Sequence, residues 1–276
     1  MYIRPVLLCN VNPQGSQSED ADLSAALRRY IGGAAEKDVG VYYTNPLAGT
    51  WAGANENISF SPASMLKVPI MAAVLRSAEE DRTFAYKSVY YDGSFDNNTL
   101  EITKPARPIL PGRSYGVDDL LHAMIVDSDN NATQLLTGLV SKEQFETIYT
   151  DLGLAAPSVN GPVDFMSPKT FTMFLRVLYS STYLTRDDSE KALALMSQSN
   201  FIDGLRTGVP KGTVVAAKFG ERASAGGSLE LHDCGIVYYG DGDAYFLCVM
   251  TRGKDRGVLA SEIAAISKLV YEHAVK

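Results

Sequence analysis

The chain contains few of the residues that build metal sites and histidine-dependent active sites. Its 276 residues include only three cysteines (Cys9, Cys234 and Cys248) and three histidines (His122, His232 and His273). Their spacing matches no metal-ligand pattern, and we expect no serine, histidine and aspartate triad carried on a nucleophile elbow. We therefore expect no metal and no organic cofactor, and we expect His232 on the surface of a strand.

Positive charge is also scarce, with 25 lysines and arginines against 32 aspartates and glutamates and a formal net charge of −7. A nucleic-acid-binding surface needs a basic patch, so this balance argues against a nucleic-acid partner. No apolar run approaches the ~20 residues that span a membrane. The first residues, Met1-Tyr2-Ile3-Arg4-Pro5, lack the pattern of a signal peptide.

Cys234 and Cys248 flank a predicted hairpin whose turn lies near Gly240-Asp241-Gly242-Asp243. The two cysteines would then lie opposite each other on adjacent strands. Two buried thiols and a cross-strand disulfide both fit this placement, the disulfide only outside a reducing compartment.

Hydrophobic residues make up 46% of the chain, which is ordinary for a globular protein large enough for one domain or two interleaved lobes. A polar lead-in covers residues 11–20. Apolar spacing predicts helices at 21–31, 117–126, 141–149, 168–179, 187–197 and 258–274. Alternating and β-branched patterns predict strands at 39–43, 50–52, 213–219, 228–239 and 244–251. Residues 88–116 are expected to form a long irregular loop of the kind that often serves function, in which Tyr90, Tyr91, Phe95 and Tyr115 either wall a cleft or pack inward.

The segment Pro62-Ala63-Ser64-Met65-Leu66-Lys67 is the most informative in the sequence. Ser-x-x-Lys alone is expected about once by chance in a chain of this length, as a helix-start serine and a solvated lysine. Ser61 and Pro62 predict that a helix begins here, with Ser61 as its N-cap. Ser64 and Lys67 would then share one face of the first turn. Since a lysine with a lowered pKa can remove the proton of a serine hydroxyl, the pair predicts a nucleophile and its base.

Two later motifs add to this pair. Ser128-Asp129-Asn130 lies between two predicted helices, where it forms either a plain turn or a loop that projects polar side chains into a cleft. Lys218-Phe219-Gly220 follows a predicted strand. Lys218 either decorates a strand edge or faces a ligand whose close approach Gly220 permits.

In this order, Ser-x-x-Lys, Ser-x-Asn and Lys-x-Gly resemble the motif set of class A β-lactamases and penicillin-binding proteins. The resemblance runs from about Leu23 to the C-terminus. It implies an α/β (α+β) fold of two lobes, with an antiparallel sheet flanked by N- and C-terminal helices and an inserted all-helical lobe. Residues 1–276 would form a single domain, with the α/β lobe at about 21–61 and 206–276 and the helical lobe at about 62–205. It also implies an extracytoplasmic location, periplasmic or secreted, and therefore an export segment that this sequence does not include.

The resemblance also implies roles for five side chains. Ser64 would be the acylated nucleophile, Lys67 its activating base and Ser128 the proton relay to the leaving group. Asn130 would hold Lys67 and a substrate amide carbonyl. Lys218 would anchor Ser128 and supply positive potential.

The backbone N–H groups of Ser64 and Glu221 would form the oxyanion hole, and Phe219, Gly220, Glu221 and Arg222 would bind the substrate. The family usually carries threonine or serine at the position of Phe219, and that hydroxyl binds a substrate carboxylate. A phenyl ring cannot donate such a hydrogen bond. Glu221 would repel a carboxylate unless it points to solvent or pairs with Arg222. We therefore expect a preference for neutral or cationic acyl donors.

A second departure concerns the second half of the reaction. Class A β-lactamases position their deacylating water with the glutamate of a Glu-x-x-Asn motif. Between residues 131 and 169 the only glutamates are Glu143 and Glu146, both in the predicted helix at 141–149, and the later loop at 155–164 has none. Asn160 or Asp164 can hold a water there, although turn roles suit both better. We expect deacylation of β-lactams to be slower by about two to four powers of ten.

The sequence thus predicts a monomeric serine hydrolase or acyltransferase that forms an acyl ester on Ser64. Its acyl donor would be a small molecule or a peptide, such as a peptidoglycan-type peptide, amide or ester, with weak or slow β-lactam hydrolysis. Two alternatives stay open: an active β-lactamase that positions its water with another residue, and a non-catalytic module that binds or senses β-lactams or cell-wall fragments. Retention of all five catalytic-type side chains argues against the module.

Overall fold

A computed structural model describes residues 17–34, 38–158, 160–224, 226–240 and 242–276 of the protein. Cys9, the first part of the polar lead-in at 11–20, and Asp241 of the predicted hairpin turn lie outside these residues. None of the helices in the described ranges is long and apolar enough to cross a bilayer.

Within these ranges, eight strands form two sheets. They are β1 (Ser18–Glu19), β2 (Asp38–Asn45), β3 (Thr50–Ala54), β4 (Ser88–Tyr91), β5 (Arg113–Gly116), β6 (Val214–Ala223), β7 (Leu229–Tyr239) and β8 (Asp243–Gly253). The main sheet has the order β1-β3-β2-β8-β7-β6, and β4 pairs with β5 in a separate sheet. The main sheet is antiparallel except for the short β1–β3 pair, which is parallel.

Eight α-helices lie in the same ranges. They are α1 (Ala21–Gly33), α2 (Lys67–Glu80), α3 (Val117–Val126), α4 (Asn130–Thr137), α5 (Lys142–Asp151), α6 (Pro168–Tyr179), α7 (Arg186–Ser197) and α8 (Arg256–Ala274). Short 3-10 helices cover Ala63–Leu66, Phe84–Tyr86, Asn97–Leu100 and Leu205–Gly208. The mixed α/β fold expected from the sequence is confirmed.

The described chain divides into two compact units. The first consists of Leu66–Gly161 and Val177–Asn200, and the second of the residues up to Met65, Pro162–Arg176 and Phe201–Lys276. In the second unit, one buried core joins residues of α1, the sheet and α8, among them Leu27, Val41, Leu247, Val249 and Ile263. Alternate residues of β2 and β8 point into this core, as the period of two predicts. Burial of each such aliphatic side chain contributes about 1.5–3 kcal/mol.

Helix α2 is buried on most of its surface in the first unit. Val68, Met71 and Val74 have no exposed surface, and the helix contacts α3, α4, α5 and α7. A helix that is apolar on most sides has to lie inside the structure. The first residue of this helix, Lys67, is therefore held in surroundings poor in water.

The predicted helix start at Ser61 and Pro62 is wrong. The 3-10 helix Ala63–Leu66 comes first, and α2 begins only at Lys67. Ala63 has φ of 47°, in the left-handed region, so a regular α-helix cannot run through it. The segment is still helical and continuous from Ser64 to Lys67.

The stretch 88–116 is more regular than expected, because β4 and β5 pair across it with Val89 opposite Tyr115. The sequence Ser88-Val89-Tyr90-Tyr91 has the β-branched and aromatic residues that favour a strand. Tyr91 is buried and Tyr90 is exposed. The middle of the stretch stays irregular, where Pro105, Pro108 and Pro111 interrupt any ladder.

The predicted hairpin between β7 and β8 is confirmed. Cys234 lies opposite Cys248 in the register, and a disulfide joins the two residues. Gly240 and Gly242, with φ of 59° and 106°, occur in the turn, where glycine is the residue that tolerates these angles.

Candidate active site

Ser64 lies in the 3-10 helix that leads into α2 and is 9% exposed. The N–H of Met65 donates to the Pro62 carbonyl at 3.0 Å and closes the turn around Ser64. The left-handed backbone of Ala63, directly before the serine, costs about 1–3 kcal/mol and persists only where the surroundings impose it. The sequence pattern placed Ser64 at a helical start correctly but did not reveal this bend.

Two contacts from the main sheet hold the Ser64 segment in place. A Cβ atom on Gly220 of β6 would lie 2.7 Å from the Pro62 carbonyl oxygen and 3.0 Å from Met65 Cγ. Only glycine lets β6 come this close. On β7, the Nε2 atom of His232 lies 2.9 Å from the Ser61 carbonyl oxygen.

The expectation that His232 is a surface residue is wrong, since it has no exposed surface. Its Nδ1 atom accepts a hydrogen bond from the Thr251 N–H at 3.2 Å. Burial lowers the pKa of the imidazole to about 4. The neutral ring therefore carries its proton on Nε2, which donates to Ser61. Within the described ranges, no three histidine, cysteine or carboxylate side chains are grouped as ligands for a metal ion.

Lys67 is the first residue of α2 and is 3% exposed. Its ammonium donates to the carbonyl oxygen of Ser128 at 2.7 Å and to the Ser128 hydroxyl at 3.0 Å. Burial lowers the pKa of Lys67 to about 8, against the opposing effect of the Glu101 and Asp129 carboxylates. A lysine with this pKa is partly neutral near pH 7–8 and can act as a base.

Ser128 connects α3 to α4 in a left-handed conformation, with φ of 58°. Its neighbour Asp129 caps α4, because one carboxylate oxygen accepts from the Ala132 N–H at 2.8 Å. The other oxygen accepts from the Ile109 N–H, also at 2.8 Å. These bonds make Asp129 the residue that holds the loop, and they leave the Ser128 side chain directed to Lys67.

Asn130 is the first residue of α4 and is half-buried. Its N–H donates to Asn98 Oδ1 at 2.8 Å, and its side-chain amide donates to the Glu101 carboxylate and to the Asn97 carbonyl. Its predicted role in holding Lys67 and a substrate carbonyl stays a prediction. Glu101 was missed by sequence reasoning, since it lies in a stretch rich in loop residues and belongs to no recognisable spacing.

Lys218 lies inside β6, opposite Cys234, and has no exposed surface. Its ammonium donates to the Phe219 carbonyl at 3.1 Å and lies 4.2 Å from the centre of the Phe219 ring. Although β6 is the edge strand of the main sheet, Lys218 is buried and therefore does more than decorate a strand edge. Its predicted contact with Ser128 stays a prediction.

The side chains of Phe219 and Glu221 point away from the face of β6 that carries Gly220, as alternation along a strand requires. The Phe219 ring is 5% exposed and stacks on Phe201, with centroids 4.5 Å apart. The ring belongs to the core of the second unit. The prediction of Phe219 as a substrate-binding side chain is corrected accordingly, and only its backbone is available to a substrate.

The Glu221 side chain is neither exposed to solvent nor paired with Arg222. Both predictions for this side chain are therefore wrong. Its carboxylate is 1% exposed and accepts from Arg256 Nε on α8 at 3.1 Å. Arg256 also lies 3.6 Å from Asp203. This pairing neutralises the Glu221 charge, so Glu221 gives no reason for the site to reject a carboxylate. Arg222 is half-buried beside it on β6.

The candidate water-positioning residues of the later loop are placed as follows. Asp164 forms an ion pair with Arg252 at 2.5 Å, and Asn160 is exposed in a turn. Glu143 and Glu146 lie on α5, as expected. The Asp164 carboxylate is therefore tied to the sheet by its arginine.

A comparison with protein-family models identifies one family for the chain. Residues 22–274 match the model of the beta-lactamase enzyme family. No curated protein sequence matches the chain. Among solved structures, PBP-A has 19% identity and a TM-score of 0.78, with 94% of this chain and 98% of that chain covered.

Two β-lactamases are similar to the same extent. The TLA-3 extended-spectrum beta-lactamase has 18% identity and a TM-score of 0.79, with 93% of this chain and 99% of that chain covered. A beta-lactamase from Chitinophaga pinensis has 20% identity and a TM-score of 0.77, with 92% and 99% covered. At these identities the structures establish the fold, and the match of the family model over nearly the whole length establishes the membership. The chain belongs to the beta-lactamase enzyme family and has the fold of its serine hydrolases.

Proposed function

We propose that the protein is a serine acyl-transfer enzyme that forms an acyl ester on Ser64 and releases the acyl group slowly. The observation that carries this proposal is the state of Lys67: buried, with a pKa near 8, and in contact with the Ser128 hydroxyl. Ser64 precedes Lys67 by three residues in one continuous helical segment. A serine next to a lysine with a lowered pKa is one of the arrangements that support acyl transfer.

In the proposed first step, neutral Lys67 takes the proton of the Ser64 hydroxyl as Oγ attacks the carbonyl carbon of the donor. A bond forms between Ser64 Oγ and this carbon, and the bond from the carbon to the leaving nitrogen or oxygen breaks. Lys67 returns the proton to the leaving group through the Ser128 hydroxyl. The backbone N–H groups of Ser64 and Glu221 are proposed to stabilise the oxyanion. Lys218 is proposed to supply positive potential, and this role is assigned only from the order of the motifs.

In the second step, water attacks the ester carbon and Ser64 leaves with a proton. The loop at 155–164 contains no glutamate, and Asp164 is already paired with Arg252. A missing general base costs about two to four powers of ten in such a step. We therefore propose that β-lactams acylate the protein and are hydrolysed slowly, and that a peptide, amide or ester of the peptidoglycan type is the productive donor. One solved PBP-A structure, that of a mutant, is an acyl-enzyme complex with penicillin G.

The test is intact-protein mass after incubation with a fluorescent penicillin and, separately, with an activated ester. Wild type should gain one acyl group, and Ser64→Ala should gain none. Ser158→Ala, which removes an exposed loop hydroxyl, serves as the matched control and should label like wild type. An adduct that persists in Ser64→Ala contradicts the assignment of the nucleophile.

The lifetime of the adduct separates the proposal from its alternatives. An adduct that decays over minutes to hours supports slow deacylation, whereas repeated rapid turnover of nitrocefin supports an active β-lactamase. Absence of an adduct with both probes, together with reversible binding of penicillin, supports a non-catalytic binding module.

A further inference from the structure

The disulfide between Cys234 and Cys248 lies beside a residue of the candidate active site. Cys234 on β7 is directly opposite Lys218 on β6, and Cys248 on β8 is directly opposite Cys234. Side chains of directly opposed residues lie on the same face of a sheet, with Cβ atoms about 4.5–5.5 Å apart. The disulfide and the Lys218 side chain are therefore neighbours in one row that crosses three strands.

This row lies on the face of the sheet that contacts the chain around Ser64. Gly220 and His232 lie opposite each other in the adjacent row, two residues from Lys218 on β6 and two residues from Cys234 on β7. Both of them contact the segment that carries Ser64. Because side chains two residues apart on a strand share a face, the disulfide faces the same side of the sheet as these contacts.

The sheet supports Lys218 from one side only. In the described part of the chain, β6 is the last strand of the main sheet, and its strand neighbour is β7. Lys218 has no exposed surface, and its ammonium donates to the Phe219 carbonyl at 3.1 Å. The side chain that β7 places next to Lys218 is Cys234, one half of the disulfide. The position of the lysine therefore depends on what occupies this place on β7.

The hairpin of β7 and β8 is held together without a covalent link. The two strands pair over their whole length, from Leu229 opposite Gly253 to Tyr239 opposite Asp243. The disulfide lies inside this ladder and closes a short loop within the hairpin. A cross-link stabilises mainly by constraining the unfolded chain, and it does so less for a short loop than for a long one. A role in fixing the neighbouring side chain accounts for the place of the bond.

Opening the disulfide would require room within the row. Lys218 and both cysteines have no exposed surface, and Tyr42, which is opposite Cys248 on the far side, is 7% exposed. Two thiols that are not bonded stay a van der Waals distance apart, which is longer than a covalent bond, and a close-packed interior has little spare volume. The ladder fixes the backbones, so side chains have to move. The lysine, with its flexible four-carbon stem, can move most easily.

We propose that the Cys234–Cys248 disulfide is a positioning element for Lys218, and that fast acylation of Ser64 requires the oxidised pair. The inference rests on the proposed acyl transfer and adds a condition under which that site works. A dithiol reductant would give two electrons and two protons to the disulfide, which breaks into two thiols, and would itself become a cyclic disulfide. A displaced ammonium would supply less positive potential to the oxyanion, so acylation would slow.

The experiment measures how fast a fluorescent penicillin labels Ser64 at several concentrations, which gives a limiting rate and a half-saturating concentration. Oxidised wild type is compared with Cys234→Ala/Cys248→Ala and with reduced wild type. The latter is treated with dithiothreitol in urea, refolded and freed of excess reductant without air, and its reduction is confirmed by mass. Both proteins without the bond should lose about 10-fold in the limiting rate. Reoxidation of the reduced protein should restore it.

A double-mutant cycle separates positioning from a general loss of stability. In Lys218→Met, the two cysteine replacements should change the limiting rate by less than about 2-fold, because the side chain through which the disulfide acts is absent. Leu247→Ala is the matched control. It truncates a fully buried residue of β8 next to Cys248 but on the opposite face, so it weakens the same hairpin. It should stay within about 2-fold of wild type.

Equal limiting rates with and without the disulfide would overturn the proposal. So would the same fold-loss in the Lys218→Met background as in wild type, since the bond would then act on the fold as a whole. If Cys234→Ala/Cys248→Ala does not fold, reduction of wild type and of Lys218→Met supplies the same cycle. Absence of any label on oxidised wild type is a different failure. It would overturn the acyl transfer itself, and this inference with it, before any cysteine is changed.

Discussion

The Nε2 atom of His232 donates to the carbonyl oxygen of Ser61 at 2.9 Å and so ties the central sheet to the segment that carries Ser64. The same ring accepts from the Thr251 N–H through Nδ1. Both ring nitrogens are therefore used, and only the neutral form of the imidazole satisfies both bonds. A proton added at Nδ1 would break the bond to Thr251.

We predict that His232 makes the protein less stable as the pH falls from about 6.5 to about 4. The pKa of His232 is lowered from 6.5 to about 4 in the folded state, so the unfolded chain binds more protons in this window. Stability from the neutral ring is fully present above the unfolded pKa and is lost as the pH falls, by up to about 3 kcal/mol. Urea unfolding at several pH values measures it.

His232→Gln is the matched variant, because its amide can donate to Ser61 and accept from Thr251 but does not titrate. The quantity to compare is the difference in the free energy of unfolding between wild type and His232→Gln at each pH. Burial raises the pKa of Asp233 to about 6, and a carboxyl with a raised pKa contributes stability that increases as the pH falls through that value. Equal pH slopes for wild type and His232→Gln would contradict the prediction.

Gly220→Ala should lower both stability and the acylation rate. The new methyl group would lie 2.7 Å from the Pro62 carbonyl oxygen, so the backbone around Ser64 has to shift. Overpacking of this kind costs about 1–3 kcal/mol. Unfolding in urea and the rate of labelling by penicillin measure the two effects. In Gly32→Ala nothing lies within 4 Å of the new methyl group, so this variant should lower neither the stability nor the rate of labelling.

Acylation should depend on the neutral form of Lys67. The rate of labelling should rise with pH and reach half of its maximum near pH 8, where the lowered pKa of Lys67 lies. Lys67→Arg keeps the positive charge but stays protonated, and it should lose about 10²–10⁴-fold in rate. Stopped-flow labelling over the pH range measures both. A pH-independent rate in wild type would exclude Lys67 as the base.

Arg256→Met should destabilise the protein by about 2–3 kcal/mol, because it leaves the buried Glu221 carboxylate without its guanidinium partner. Replacing Glu221 by glutamine in the same chain removes the buried carboxylate charge and should restore more than half of the loss. Thermal and urea unfolding of the single and double variants form the cycle. If the double variant is no more stable than Arg256→Met, the loss comes from packing of the arginine and not from the ion pair.

Most of the long helices and strands were predictable from periodicity and turn residues, whereas the short strands β1, β4 and β5 were not. Helix α6 runs over the predicted residues, Pro168–Tyr179, and the long strands β7 and β8 differ from the prediction by one or two residues at their ends. These elements have strong patterns with capping or turn residues at their ends. The start of the Ser64 segment was not predictable, because the left-handed angle of Ala63 is imposed by the surrounding structure and alanine itself does not favour it.

The site was predictable where a motif fixes it and not where a single side chain acts alone. Lys67 and Ser128 come from two motifs far apart in the chain and are in contact, although the motif roles named Asn130 as the partner of Lys67. Glu101 has no motif, and its place beside Asn130 depends on the path of an irregular segment. The burial of His232 was missed because the sequence around a polar residue on a strand does not show whether that face of the sheet is exposed to solvent or buried. Phe219 and Glu221 were predicted to bind the substrate because they belong to or follow the Lys-x-Gly motif. The alternation of side chains along a strand, which turns both away from the face of Gly220, was not considered.

The left-handed backbones at Ala63 and Ser128 also affect how the protein responds to selection for heat resistance. Glycine at either position would relieve the steric conflict in the folded state, since it has no Cβ atom. At Ala63 the same change would let the chain before the nucleophile move between conformations, and at Ser128 it would also remove the relay hydroxyl itself. Variants chosen only for a higher melting temperature should therefore include changes at these two positions that reduce the catalytic rate. At these two residues a gain in stability would come with a loss of activity.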